Sequence, residues 1–336
     1  MFKENDEYSK ELSKFKKDFI AKNNIEDFFS KACQNDPNLT DNLYKIKENY
    51  KEYSQFCSSI AQRILLKILD ENTGIADIHS ARFRVKDSNS MLVKIVKKKA
   101  NLPKKISDKY DIEKYRNLNV TNYKSILTDL IGVRILIRYR EQWALVHNWI
   151  WNNFFQGEDK YIINNESKSE MGSTHIAEKP KLYYRHQDDL RYLKKLDPNS
   201  EIFEYIFSDE GYNSIHYIIY IDNKYAEIQV RTIFDEAWSE CTHDLVYKCP
   251  NKKMKLELNE LSKCLAKQTL AAEAITNIMY EKIHRTDLEN VDKPSKDIED
   301  IQLANSEKNN NNNLENRIKL LENEDIQSIT CFNDLI

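Results

Sequence analysis

Apolar and polar residues alternate from Tyr225 to Arg231, which places Glu227, Gln229 and Arg231 in a row on one face of a β-strand. A carboxylate, an amide and a guanidinium side by side make a poor face for a hydrophobic core. They make a good floor for a site that handles a metal ion and an anionic ligand. The same alternation also suits the exposed face of an antiparallel edge strand. Three further stretches supply the parts such a floor requires.

The first is residues 82–105, where nine lysines and arginines stand against one acid, Asp87. Arg84 and Lys86 alternate as on a strand, while Ser90 and Lys94 are one helical turn apart. A strand leading into a helix start, with cations and a hydroxyl converging, can cradle a polyphosphate. A solvated basic helix or an RNA-binding patch is the other reading. The second stretch joins Asp129, Gly132 and Arg134, with a buried strand read over residues 133–139 and Asp129 just ahead of it. Gly132 permits close approach of backbone or ligand; Asp129 could also simply cap a turn. The third is Gly211-Tyr212-Asn213-Ser214-Ile215-His216, which leads into a strand that Asp222-Asn223 turns back onto residues 224–231 as a hairpin. Tyr212 can stack on a base, worth about 1–3 kcal/mol, or lid the hairpin.

The flanking chain is helical in pattern. Residues 1–70 carry one apolar stripe through Tyr8, Leu12, Phe15 and Phe19 and another through Leu43, Ile46, Tyr50, Tyr53, Cys57, Ile60 and Ile64. The second has coiled-coil spacing over few heptads, and packing within its own domain is expected. A helix follows residues 133–139, with Trp143, Val146, Ile150 and Trp151. Residues 157–200 read as a polar insertion ending in a helical piece near 188–196; His186, Asp188 and Asp189 there resemble metal ligands by composition alone. Residues 234–248 read as a helix whose polar face could close the site. Residues 251–286 read as a C-terminal helix through Leu261, Leu265, Ala272, Ile275 and Met279, and 287–336 as a polar linker, with an asparagine run, and a short tail helix. The central domain is then 71–250.

A net charge of −3 over 336 residues gives no global bias towards polyanions, so affinity for nucleotides or RNA must come from local clusters. No apolar run is long enough to span a membrane and the N-terminus lacks a signal-peptide pattern, so a cytoplasmic protein with no membrane partner is expected. The six cysteines show no Cys-x-x-Cys spacing and are read as reduced thiols; Cys241, His243 and Cys249 lack a fourth ligand for zinc.

Together these stretches resemble the synthetase domain of the RelA/SpoT family of alarmone synthetases. Arg84, Lys86, Ser90 and Lys94 match its Arg-x-Lys-x-x-x-Ser-x-x-x-Lys pattern, Asp129, Gly132 and Arg134 its Asp-x-x-Gly-x-Arg pattern, Gly211, Tyr212, Ser214 and His216 its Gly-Tyr-x-Ser-x-His pattern, and Glu227, Gln229, Arg231 and Thr232 its Glu-x-Gln-x-Arg-Thr pattern. The resemblance implies an α+β fold, a nucleotidyltransferase-like mixed β-sheet flanked by helices, with helical N- and C-terminal extensions. It implies transfer of pyrophosphate from ATP to the 3′-hydroxyl of GTP or GDP, with Mg²⁺ as cofactor. By motif, Arg84 and Arg134 would sandwich adenine while Lys86, Ser90 and Lys94 hold the donor phosphates. Asp129 and Glu227 would bind Mg²⁺, with Glu227 also taking the hydroxyl proton; Tyr212, His216, Gln229 and Arg231 would hold the acceptor.

Two departures from the family pattern bear on the acceptor. Asp209 and Glu210 precede the Gly-Tyr pair where a cation is common, and Asn213 follows it. Glu236 stands where relatives carry Asn or His, and a carboxylate there can accept hydrogen bonds from guanine. The alternatives within the family are a toxin-type relative that modifies tRNA 3′ ends or makes adenosine alarmones; outside catalysis, it is a nucleotide- or RNA-binding module. The hydrolase half of bifunctional relatives is expected to be absent, and a homo-oligomer is expected by resemblance.

Overall fold

The computed structural model describes residues 2–101, 114–154, 175–176, 178–190, 197, 199–247, 249 and 251–291. Three helices open the chain: α1 (Phe2–Asn23), α2 (Glu26–Asn35) and α3 (Leu39–Ile68). Along the stripe on α3, Leu43, Ile46, Tyr50, Cys57, Ile60 and Ile64 are fully buried and Tyr53 is partly buried, and α3 packs on the sheet of its own chain, so the seam is a core face.

Strand β1 (Ser80–Val85) runs into helix α4 (Ser88–Ala100), the strand-to-helix step that Arg84-x-Lys86 and Ser90-x-x-x-Lys94 predict. Asp87 caps α4, its Oδ1 accepting from the Ser90 amide at 2.8 Å and the Ser90 hydroxyl at 3.0 Å. The buried Lys99 ion pair with Asp36, 2.7 Å, fastens α4 to the end of α2. Strand β2 is Ile131–Ile137, two residues earlier than the sequence predicts. It ends where the Gln142 side chain accepts the amides of Arg138 and Tyr139, opening a turn into helix α5 (Trp143–Phe154).

A single helical turn (Tyr123–Ile126) precedes β2, and after α5 come β3 (His175–Ile176), β4 (Lys181–Tyr184), a 3-10 turn (Gln187–Leu190), β5 (Glu204–Phe207), β6 (Ser214–Ile221), β7 (Lys224–Thr232), α6 (Ile233–Thr242), a π-helical turn (His243–Tyr247) and α7 (Lys252–Val291). The sheet order is β1-β2-β7-β6-β4-β5, with β3 pairing the far end of β6. It is mixed: β2–β7 and β4–β5 are parallel and the other pairs antiparallel. The hairpin forms as expected, with Asp222 and Asn223 at φ 50° and 60° in the left-handed turn its twist favours. One sheet face, through Val133, Ile135, Ile228, Val230, Ile215 and Tyr217, is buried in the core. The opposite face is polar.

Three expectations change. The helix expected over residues 234–248 is α-helical only as far as Thr242. The insertion expected to be irregular supplies β4 to the sheet; its residues 157–174 and 191–196 lie outside the described residues, as do 292–336, where most of the expected linker and the tail helix fall. Third, α7 is turned the other way. Leu261, Leu265, Ile275 and Met279 are exposed, while Ser262, Ala266, Glu273 and Asn277 are buried.

The physical reason is a buried ion cluster. Glu273 pairs with Arg140 and with Arg185 Nη2 at 2.7 Å, Asp189 pairs with Arg140, and Asp235 takes Arg185 Nη2 at 2.9 Å. All five side chains are 5% exposed or less. Charges this deep must be paired, and α7 docks through the face that pairs them.

Candidate active site

Strand register places the polar face. Arg82 lies opposite Arg134 and Arg84 opposite Gly132 on β1 and β2; Gly132 neighbours Glu227 and Arg134 neighbours Gln229 on β2 and β7; His216 on β6 neighbours Gln229, and Lys181 on β4 neighbours His216. A Cβ on Gly132 would stand 3.3 Å from the Arg84 carbonyl oxygen, so glycine lets the β1 backbone come close beside the acidic row.

Two cavities open over this face. The larger, about 760 Å³, is lined by six lysines (Lys86, Lys94, Lys97, Lys98, Lys114 and Lys181) against three carboxylates, with Ser90, Tyr183 and His216. The smaller, about 490 Å³, is lined by Arg82, Arg84, Arg134 and Arg231 together with Tyr212, Gln229, Trp238 and His243. Asp129 and Glu227 line both. The two carboxylates therefore form the ridge where a lysine cavity meets an arginine cavity.

Asp129 Oδ2 receives Lys86 Nζ and Lys94 Nζ, each at 2.9 Å. Burial pushes its carboxyl up, but those two ammonium groups overcome burial and hold it at about 2. Its other oxygen, Oδ1, is buried without a hydrogen-bond partner. Glu227 is also buried, which raises its carboxyl, yet the hydrogen bonds it accepts from His216 and Gln229 bring it below the ordinary value. His216 Nδ1 lies 3.1 Å from Glu227 Oε1, and Gln229 Nε2 donates to Oε2 at 2.7 Å. Both acids are thus ionised. Two ionised carboxylates sharing a ridge, one with an orphaned buried oxygen, fit a hard divalent cation, which takes one or two carboxylates plus phosphate oxygens.

The arginine cavity is nearly charge-compensated. Thr232 and Asp235 form a capping box that starts α6 directly at the end of β7. Glu236 and Glu240, one turn apart on α6, then face the arginines. Glu236 Oε1 pairs with Arg82 and, at 2.5 Å, with Arg134, while Oε2 takes Arg231 at 3.1 Å. Glu240 takes Arg134 at 2.8 Å and Arg82 at 3.0 Å. Arg84 is exposed at the β1 side of this cavity. Tyr212, Tyr183 and His216 form an aromatic trio between the cavities, with ring centroids 4.8–5.9 Å apart. The Arg231 guanidinium lies over Tyr212, 4.8 Å from its centroid.

Residues 83–252 match the family model described as a region found in RelA / SpoT proteins, half of the chain. The chain belongs to the RelA/SpoT family. Small alarmone synthetase 1 from Bacillus subtilis is similar at 13% identity over 71% of this chain and 99% of that one, with a TM-score of 0.43. The same protein bound to its product pppGpp aligns at 15% identity over 72% and 96%, TM-score 0.37. A GTP pyrophosphokinase family protein from Streptococcus pneumoniae aligns at 16% identity over 72% and 95%, TM-score 0.41. No curated protein matches by sequence.

The four RelA/SpoT motifs converge on one face. Lys86, Ser90, Lys94 and His216 reach the lysine cavity, Arg84, Arg134, Tyr212, Gln229 and Arg231 the arginine cavity, and Asp129 and Glu227 both. Glu236 sits behind the arginines and lines neither. Sequence reasoning gave no role to Arg82, Glu240, Lys181 or Tyr183. Arg82 continues the two-residue period of Arg84 and Lys86, and Glu240 lies four residues beyond Glu236, so both carried a signal. Lys181 and Tyr183 carried none, because the insertion's strand pairing is long-range. Among the described residues no group of three or more metal-ligating side chains is placed to hold an ion, so Cys241, His243 and Cys249 are not assembled as a zinc site. No described helix is long and apolar enough to cross a membrane.

Proposed function

We propose that this chain is a pyrophosphokinase that transfers the β,γ-pyrophosphate of ATP to the 3′-hydroxyl of GTP or GDP. One observation carries the reading: two ionised carboxylates, Asp129 and Glu227, stand where a lysine cavity meets an arginine cavity. The compensated arginine cavity suits the uncharged base of the donor, with Arg134 fixed by Glu236 and Glu240 as one wall and Arg84 as the other; a guanidinium stacks on a purine plane. The cationic excess of the other cavity suits phosphates, with Lys86, Lys94 and Ser90 at the start of α4 meeting them from one side. ATP then lies across the ridge, and the acceptor approaches from the aromatic trio, its guanine against Tyr212.

Phosphoryl-type transfer needs alignment and charge neutralisation more than covalent help from the protein. The bond that forms joins the 3′-oxygen to the β-phosphorus, and the bond that breaks links that phosphorus to the α-phosphate oxygen, releasing AMP. Lys86 and Lys94 stabilise charge on the transferring group from fixed positions. Glu227, ionised and facing the ridge, accepts the hydroxyl proton as the new bond forms. Mg²⁺, held by Asp129 and Glu227, would neutralise charge on the phosphate oxygens.

The test is incubation with β,γ-labelled ATP and, separately, GTP, GDP, AMP or tRNA. Label on GTP or GDP that disappears in Asp129→Asn and Glu227→Gln is the expected result. Label on tRNA alone would reassign the acceptor, for which Lys97, Lys98 and Lys114 at the far side of the cavity offer backbone contacts. No label on any acceptor would refute the assignment as a synthetase.

A further inference from the structure

Arg231 is 3% exposed, and its guanidinium is fully committed inside the protein. Nε donates to Ser214 Oγ at 3.3 Å; Nη1 donates to Glu236 Oε2 at 3.1 Å and Ser239 Oγ at 2.7 Å; Nη2 donates to the Tyr212 hydroxyl at 2.5 Å and Gln229 Oε1 at 3.3 Å. A guanidinium has five N–H donors, no acceptor, and keeps its charge. Every bond it makes therefore has a fixed direction, and its neighbours must comply.

Consider the first arm. The Tyr212 oxygen accepts from Arg231, so its single proton is left for His216 Nε2, 2.8 Å away. Nε2 must then be the bare nitrogen, and the neutral ring carries its proton on Nδ1, 3.1 Å from Glu227 Oε1. The second arm is shorter. Gln229 turns its oxygen to Arg231, so its amide nitrogen faces Glu227 Oε2 at 2.7 Å. Both arms end as donors on the two oxygens of one carboxylate. Arg231, Tyr212, His216, Glu227 and Gln229 close a ring of hydrogen bonds.

We propose that Arg231 is a positioning residue that touches no substrate: it fixes the tautomer of His216 and the amide orientation of Gln229, and through them holds the Glu227 carboxylate in a single orientation. Tyr212 has a second role in this scheme, carried by its hydroxyl and separate from any stacking by its ring. That Glu227 serves pyrophosphate transfer rests on the function proposed above; the hydrogen-bond directions rest on geometry alone.

The closing experiment separates these. In protein with ¹⁵N-labelled histidine, long-range ¹H–¹⁵N correlations, assigned with His216→Asn, report which ring nitrogen of His216 bears the proton. The wild type should show the Nδ1–H tautomer. Tyr212→Phe keeps the ring and removes the hydroxyl; His216 should become a mixture of tautomers, and kcat should fall about 10- to 100-fold, the cost of losing an outer-shell partner, with acceptor KM unchanged. Arg231→Lys should scramble the tautomer likewise. An Nε2–H tautomer in the wild type would overturn the proposal, as would a Tyr212→Phe enzyme with unaltered tautomer and kcat, or one whose acceptor KM rises at constant kcat. If the wild type transfers pyrophosphate to no acceptor, the function fails, and the two spectra still decide the ring.

Discussion

Replacing Arg140 by Met tests whether the buried ion cluster, rather than apolar contact, docks α7. The cluster sets three carboxylates, Asp189, Asp235 and Glu273, against two guanidiniums, Arg140 and Arg185. Removing Arg140 leaves three buried acids facing one cation, and breaking a buried pair in this way costs about 3–5 kcal/mol. At the few degrees per kcal/mol usual for a domain of this size, Tm should drop on the order of 10 °C. Glu273→Gln is the sharp control. Burial raises the Glu273 carboxyl above its ordinary value, and its Oε1 has no hydrogen-bond partner, so it is the surplus charge of the cluster. The amide keeps the shape, leaves two acids with two guanidiniums, and should cost under about 1 kcal/mol, one hydrogen bond's worth. The sign with pH follows. A carboxyl raised in the folded state makes stability fall as pH climbs from its unfolded value towards its folded one, and Glu273→Gln should remove that fall. Thermal unfolding followed by circular dichroism from pH 4 to 8 reads both effects. An Arg140→Met protein that melts with the wild type, or a Glu273→Gln protein that melts as early as Arg140→Met, would refute the reasoning.

Two further outcomes follow from the geometry. The Asp129 carboxyl, held at about 2 against an ordinary 3.8, contributes stability that is present above its unfolded value and is lost as pH falls towards 2; acid titration of Asp129→Asn should lack that part of the unfolding limb, and an unchanged limb would show that Lys86 and Lys94 do not stabilise it. Gly211 has φ +94° and a Cβ there would stand 2.5 Å from Ala266 Cβ on α7; Gly211→Ala should cost on the order of 2 kcal/mol or more from strain and overpacking together, and adding Ala266→Gly should restore only the packing part, measurable by denaturant midpoint.

The site was more legible in the sequence than the frame around it. Period-two alternation marked the face of β7, and Arg84, Lys86, Ser90 and Lys94 marked a strand turning into a helix, because those signals are local. The apolar stripe of α7 was also visible, but its orientation was not: Arg140 lies 133 residues from Glu273, and no spacing rule reports that a distant pair of guanidiniums will draw the polar face inward. Asp189 looked like a metal ligand by composition and is instead a counter-ion to Arg140. Glu236 was noticed through its departure from the family pattern; its three arginine partners arrive from three different strands and could be found only by folding.

The capping box at Thr232 and Asp235 leaves no connecting loop between the strand that carries Glu227, Gln229 and Arg231 and the helix that carries Glu236 and Glu240. Spacing along this segment is therefore as restrictive as residue identity. One extra residue between Arg231 and Glu236 would swing the helix by about 100°, taking both glutamates away from Arg82 and Arg134 while every side chain of the site remained present in the chain.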